Sequence, residues 1–190
     1  AGRVLHAECG SGDLLRELVG SGLDAYGVEP DDDLALVAAA RSLDVRADTA
    51  AGHLRLLERG SLAGLVLSGC VDHLPLGHQL ELVDLATAKL AAGGRFVLVG
   101  SDPSAWGRGR SPVEADLSPG RPLHPETWAT LLQARGFADL AIHPGPVERA
   151  LGPVPGAGEA AEALNADLAL LNEVLFRPRT YAVTATRSPA

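Results

Sequence analysis

Strand-like and helix-like stretches alternate without a break over the first hundred residues, and this rhythm restricts the chain to an α/β sheet with crossover helices. The first unit sets the pattern. Val4 to Ala7 reads as an apolar strand, and the Gly10-Ser11-Gly12 turn follows it. Leu14, Leu15, Leu18 and Val19 then fall on one stripe of a helix from about Gly12 to Val19, which Gly20 and Gly22 stop. Ala25 to Val28 forms a second strand ending in Glu29. Small residues at such a turn let backbone N–H groups and a helix N-terminus approach a ligand, and an acid ending the next strand can accept both hydroxyls of a ribose.

Pro30-Asp31-Asp32-Asp33 opens a second helix through about Arg41, and the three aspartates read as capping groups in the turn that the helix dipole makes favourable for anions. Leu43 to Val45 is a short third strand leading to Arg46-Ala47-Asp48-Thr49, and a short helix is expected near His53 to Glu58. Leu62 to Cys70 is the most continuously apolar stretch, as expected for a fully buried central strand of a parallel sheet. A helix from about Gly77 to Leu90, a turn at Ala91-Ala92-Gly93-Gly94 and a fifth strand, Arg95 to Val99, continue the alternation. Right-handed crossovers with helices on both faces follow.

Two Gly/Pro-rich connections, Trp106 to Pro122 and Pro144 to Gly158, then interrupt the pattern. Connections of this length at strand ends are where sites are built. Between them lie a helix from His124 through Ala134 and a sixth strand, Phe137 to His143. An Ala/Leu helix, Glu159 to Phe176, and a last strand, Thr180 to Thr186, close the chain.

The 190 residues suit one domain with a substantial core. A formal charge of −8 argues against a phosphate-tracking surface, so nucleic acid is not an expected partner. No apolar run reaches membrane-spanning length, and no membrane partner is expected. Cys9 and Cys70 lack metal-ligand spacing and are expected to pack as small apolar residues; a reduced, cytoplasmic setting is the simplest reading, with no metal. The chain starts with Ala-Gly directly before a strand and contains no methionine, so a longer parent protein, or a processed start, is expected.

The dinucleotide fingerprint G-x-G-x-x-G is not met, because no glycine stands three residues after Gly12. The stretch His6-Ala7-Glu8-Cys9-Gly10-Ser11-Gly12 instead resembles motif I of the class I S-adenosylmethionine (SAM)-dependent methyltransferases. Gly10 and Gly12 match; His6 stands where that family has its acid, and Glu8 where it has its first glycine. The resemblance extends to Glu29 after Tyr26-Gly27-Val28, to Asp48-Thr49, to Leu65 through Leu74, to Leu90 through Leu98 and to His124 through Phe137. It implies a Rossmann-like three-layer sandwich over residues 1–190, with a mostly parallel seven-stranded sheet and an antiparallel last strand, lacking the family's N-terminal cap helices. It further implies SAM as cofactor and methyl transfer to a small-molecule acceptor, a sugar or secondary metabolite methylated on oxygen. The rival reading is a non-catalytic domain of the same fold, serving as a binding or assembly module in a larger protein or a homodimer.

By the same resemblance Gly10 and Gly12 form the cofactor turn, Glu29 holds the ribose and Asp48, with Thr49 beside it, accepts from the adenine amino group. Glu8 has two readings. Strand alternation would point it to the same side as His6, where it could meet the ammonium of a methionine moiety. Alternatively, its charge stands where the ligand's own carboxylate would approach, at a cost on the order of 1 to 4 kcal/mol. His73, after the central strand, is the candidate catalytic base for a hydroxyl acceptor, against a plain packing role. His124 reads as a helix cap. Trp106 and Trp128 are candidates for lining an acceptor pocket, with Trp128 at core-facing spacing with Leu131 and Leu132.

Overall fold

A computed structural model describes residues 2–106, 111–147, 150–156 and 158–189. Gly107 to Arg110 of the first long connection and Glu148, Arg149 and Ala157 of the second lie outside the described residues.

The elements follow the expected alternation: β1 (Arg3–Ala7), α1 (Asp13–Gly20), β2 (Ala25–Glu29), α2 (Asp32–Ala40), β3 (Val45–Ala47), α3 (Ala50–Leu56), β4 (Leu62–Ser68), α4 (Leu76–Lys89), β5 (Leu90–Ser101), α5 (Pro112–Asp116), α6 (Pro125–Gln133), β6 (Phe137–Pro144), α7 (Glu159–Leu175) and β7 (Thr180–Arg187). The seven strands form one sheet in the order β3-β2-β1-β4-β5-β7-β6. β1 to β5 pair in parallel, while β7 runs antiparallel to both β5 and β6. This is the Rossmann-like architecture with the closing antiparallel pair.

Alternation along the strands divides the core between the two faces. Leu5, Ala7, Tyr26, Val28, Leu65, Leu67, Phe96 and Leu98 meet Leu54 of α3, Leu82, Val83 and Ala86 of α4, and Trp128 and Leu132 of α6. Leu15 of α1 packs on the other face with Cys9 and Ala25, against half-buried Val4, Leu18 and Leu43. Each fully buried Leu or Phe contributes roughly 1.5–3 kcal/mol. α7 buries no residue. Its Asn165 and Asn172 instead clamp the backbone of Val154 and Leu151 through paired amide hydrogen bonds.

Several boundaries differ from the sequence expectation, each for a local reason. β3 starts at Val45 rather than Leu43, because Ser42 takes a φ of 63° and Leu43 turns into the α1 packing cluster. β4 ends at Ser68. Gly69, at φ 77°, breaks it and starts a 3-10 turn over Cys70–His73. Ala91 to Gly94 bulge within β5 instead of forming a separate turn: Leu62 faces Leu90, while Gly64 already faces Arg95. α5 forms inside the first Gly/Pro-rich connection. Ser111 accepts from Glu114 N and Glu114 bonds back to Ser111 N, a capping box readable in Ser-Pro-Val-Glu.

Candidate functional site: the carboxyl edge of the sheet

The turn after β1 carries positive φ at alternate residues: 54° at Glu8, 56° at Gly10 and 84° at Gly12. Glu8 therefore keeps the left-handed backbone that a glycine would adopt without strain. Gly10 N donates to Glu29 Oε2 at 2.7 Å, and Asp31 N donates to Oε1 at 3.0 Å. These bonds fix the Glu29 carboxylate, only 5% exposed, at the carboxyl end of β2 and directly against the turn. A Cβ on Gly10 would meet nothing within 4 Å, so the space above the turn is open. Gly12 does something different. A Cβ there would lie 2.4 Å from Leu43 Cδ1 and 3.2 Å from Ala38 Cβ, so its missing side chain lets α1 seat against α2.

Glu8 lies beyond the end of β1, so the alternation that would align it with His6 stops at Ala7. Its Oε1 accepts from Ala50 N at 3.3 Å, spanning from the turn to the start of α3. Burial pushes the Glu8 carboxyl up from its ordinary range; the Ala50 bond opposes this, Glu29 adds repulsion and the Cys70 thiol gives a smaller opposing bond. Glu8 lines a hollow of about 310 Å³ between α3 and α4, together with Thr49, Arg55, Leu74, His78 and Glu81.

His6 is 1% exposed, between Gly27 of β2 and Val66 of β4. Neither ring nitrogen has a hydrogen-bond partner among the described residues, and desolvation lowers its pKa to about 4. It is a neutral imidazole inside the sheet layer, not a charged stand-in for an acid.

Asp48 N donates to Glu29 O at 3.2 Å, which joins the third strand's loop to the second's. Asp48 Oδ1 accepts from Thr49 N at 2.7 Å, and Thr49 Oγ1 caps α3 by accepting from Gly52 N at 3.0 Å. Gly10, Glu29, Asp48 and Thr49 thus share one hydrogen-bonded cluster over the ends of β1 to β3, and Glu8 adjoins it through Ala50. Gly12 stands behind it.

His73 falls outside that cluster, after β4, where its ring lies 5.1 Å from the Trp106 ring. His124 caps α6 through Nδ1, which accepts from Glu126 N at 3.3 Å, and Trp128 is fully buried in the core. Asp31 caps α2 by accepting from Asp33 N and Leu34 N.

Three buried groups that organise this second half were not singled out in the sequence. Asp72, 3% exposed, accepts from Ser101 N at 2.8 Å and ties the β4 loop to the end of β5. Gln79, 1% exposed, donates through Nε2 to Leu74 O at 2.7 Å and to Arg121 O at 3.0 Å. Tyr181 donates its hydroxyl to Leu123 O at 2.6 Å, and burial pushes that phenol up. Gln79 had a readable signal: it occupies the apolar stripe of α4 with Leu82, Val83 and Ala86.

No protein-family model matches the sequence, and no curated protein matches it. Among solved structures, a SAM-dependent methyltransferase from Archaeoglobus fulgidus is 26% identical with a TM-score of 0.84, over 98% of this chain and 86% of that one. The chain has the class I SAM-dependent methyltransferase fold. A second methyltransferase-fold neighbour, from Thermotoga maritima and described as a possible histamine N-methyltransferase, is 18% identical with a TM-score of 0.68, over 99% of this chain and 83% of that one. A third, the phosphoethanolamine N-methyltransferase 2 of Haemonchus contortus in complex with SAM, is 14% identical with a TM-score of 0.68. All of this chain is covered there, and it spans about half (49%) of that enzyme. β1 and β4 are adjacent in the sheet, so the turn after β1 and the His73 turn after β4 both lie at its carboxyl edge.

Proposed function

We propose that the chain is a SAM-dependent methyltransferase acting on a small molecule, a sugar or secondary metabolite methylated on oxygen. The observation that carries the reading is the Glu29 carboxylate, held against the Gly10 turn by a 2.7 Å bond beneath open space. These residues fit the cofactor. Glu29 retains lone pairs for a ribose diol, Asp48 offers an acceptor for an adenine amino group beside Thr49, and Glu8 offers a carboxylate to the ammonium of the methionine end. When bound, the cofactor supplies a methyl group already activated on a sulfonium.

The chain's own work is then to bind, orient and exclude water, and positioning carries most of the rate. His73, packed beside Trp106 after β4, takes the proton from an acceptor hydroxyl in this reading. The free thiols of Cys9 and Cys70 suit a reducing cytoplasm.

A second reading rests on Glu8. Its side chain reaches from the turn to Ala50, where a glycine would leave space, and this favours a non-catalytic methyltransferase-like domain used as a binding or assembly module.

Thermal unfolding with and without ligand separates the two. At a hundredfold excess over Kd, SAM or its demethylated product S-adenosylhomocysteine (SAH) should stabilise the fold by about 2.7 kcal/mol, raising Tm by roughly 5–10 °C, while NAD should not. An unchanged Tm at millimolar SAM and SAH would leave the non-catalytic reading.

A further inference from the structure

A cleft outside the Glu29 cluster has walls of a different chemistry. Two hollows of about 480 and 470 Å³ together form this cleft, with Trp106, Arg121 and Leu123 in the walls of both. The first hollow continues to Gln79, and the second to His124 and Thr127. Spaces of this size suit a small molecule. The cleft lies beside His73, whose ring packs on Trp106.

Charge distinguishes this cleft from the hollow beside Glu8. The chain has 24 acidic residues against 16 Lys and Arg, yet among the described residues no Asp or Glu lines either hollow. Among the described residues Arg121 is the one Lys or Arg lining either hollow, and no carboxylate pairs with it. The hollow beside Glu8 is the opposite, carrying Glu8 and Glu81, with Arg55 already paired to Glu81.

Gln79 supplies a second, independent observation. Its Nε2 is occupied by two carbonyls, which fixes the orientation of the amide, and its Oε1 has no donor among the described residues although the side chain is 1% exposed. A buried acceptor left without a donor costs about 1–3 kcal/mol. Gln79 lines the first hollow, so a ligand O–H or N–H that reached Oε1 from there would complete it. The wall is also held in place before any ligand arrives. Gln79 fastens Arg121 O, and Tyr181 fastens Leu123 O.

We propose that this cleft is the acceptor site and selects an anionic small molecule. A carboxylate or phosphate meets Arg121, an apolar or aromatic body lies against Trp106 and Leu123, and a hydroxyl or amine donates to Gln79 Oε1. The assignment of the cleft to the acceptor rests on the methyltransferase reading; its preference for anions rests on the wall alone.

The test is calorimetric titration of the whole chain, with and without saturating SAH, using 4-hydroxybenzoate, neutral 4-hydroxybenzamide and cationic tyramine as probes. Phenyl phosphate serves as the arm separating phosphate from carboxylate. A charge-assisted hydrogen bond to Arg121 should make at least one anionic probe bind about tenfold or more tighter than the neutral and cationic ones. Arg121→Gln should bring that ratio below about threefold, leaving Tm and SAH affinity unchanged, and Arg121→Lys should restore part of it. An anionic preference under about tenfold in the wild-type chain, or one that survives Arg121→Gln, overturns the proposal. SAH binding is read in the same experiment. If it is seen without anion preference, the substrate class alone is wrong; if SAH fails to bind while the anion preference holds, the methyltransferase reading is the part that falls.

Discussion

At the β1–β3 end of the sheet Glu29 is bonded to Gly10 and Asp31, 19 and 2 residues away; at the β4–β7 end Gln79 reaches Arg121 across 42 residues and Tyr181 reaches Leu123 across 58. The first end is built on turns and caps, with Glu8 alone reaching as far as Ala50 N, 42 residues away. A ligand there meets backbone N–H groups and carboxylates at the ends of β1 to β3. The second end consists of loops tied to the sheet by single long-range bonds to buried polar side chains. In the proposed methyltransferase reading, one end holds a constant cofactor, and the other can change its acceptor by changing a loop while the sheet stays the same.

The largest effect should come from the anchor of the second end. Trp128→Ala removes a fully buried indole between α6 and the sheet and should cost about 3–5 kcal/mol in denaturant unfolding. Hydrogen exchange should rise most at residues 118–124 and least at the Gly10 turn. Equal loosening at both ends would break the contrast between them.

Next comes acid. His6 is neutral in the fold with its pKa near 4, whereas in the unfolded chain it titrates near 6.5. The unfolded state therefore binds the proton first, and the stability from keeping His6 neutral is full above pH 6.5 and is lost as pH falls toward 4. About 3 kcal/mol is at stake. His6→Leu should flatten that slope in urea midpoints measured across the same range; an unchanged slope would place the acid lability elsewhere, in the carboxylates of the first end.

The smallest effect should come from Glu8→Gly. Relieving a left-handed φ of 54° should stabilise the fold by about 1 kcal/mol. The same change should weaken SAM binding if Glu8 meets the ammonium. Tighter binding would mean that the side chain obstructs the cleft.

The same contrast explains what the sequence disclosed. The strand and helix alternation, Glu29 ending β2, Asp31 capping α2, His124 capping α6 and Trp128 in the core all depend on local period or on caps within four residues, and all were legible. The arrangement around Glu8 was only partly so: its partner Ala50 is 42 residues away, and alternation fails once φ turns positive after Ala7. Leu43 was misplaced into β3 because an apolar residue beside a turn looks the same whether it pairs in a sheet or packs under a helix. Gln79, Tyr181 and Asp72 act through partners 29 to 58 residues away, and only the apolar stripe around Gln79 hinted that a polar group was buried there.

Calorimetric titration of SAH into the wild-type chain and into Glu29→Gln tests cofactor binding at the β2 end directly. Saturable binding at one site per chain is expected, weakened roughly 30- to 100-fold in the variant through loss of charge-assisted bonds. Absence of heat at millimolar SAH in the wild type, or equal affinity in both proteins, would contradict a cofactor held by Glu29.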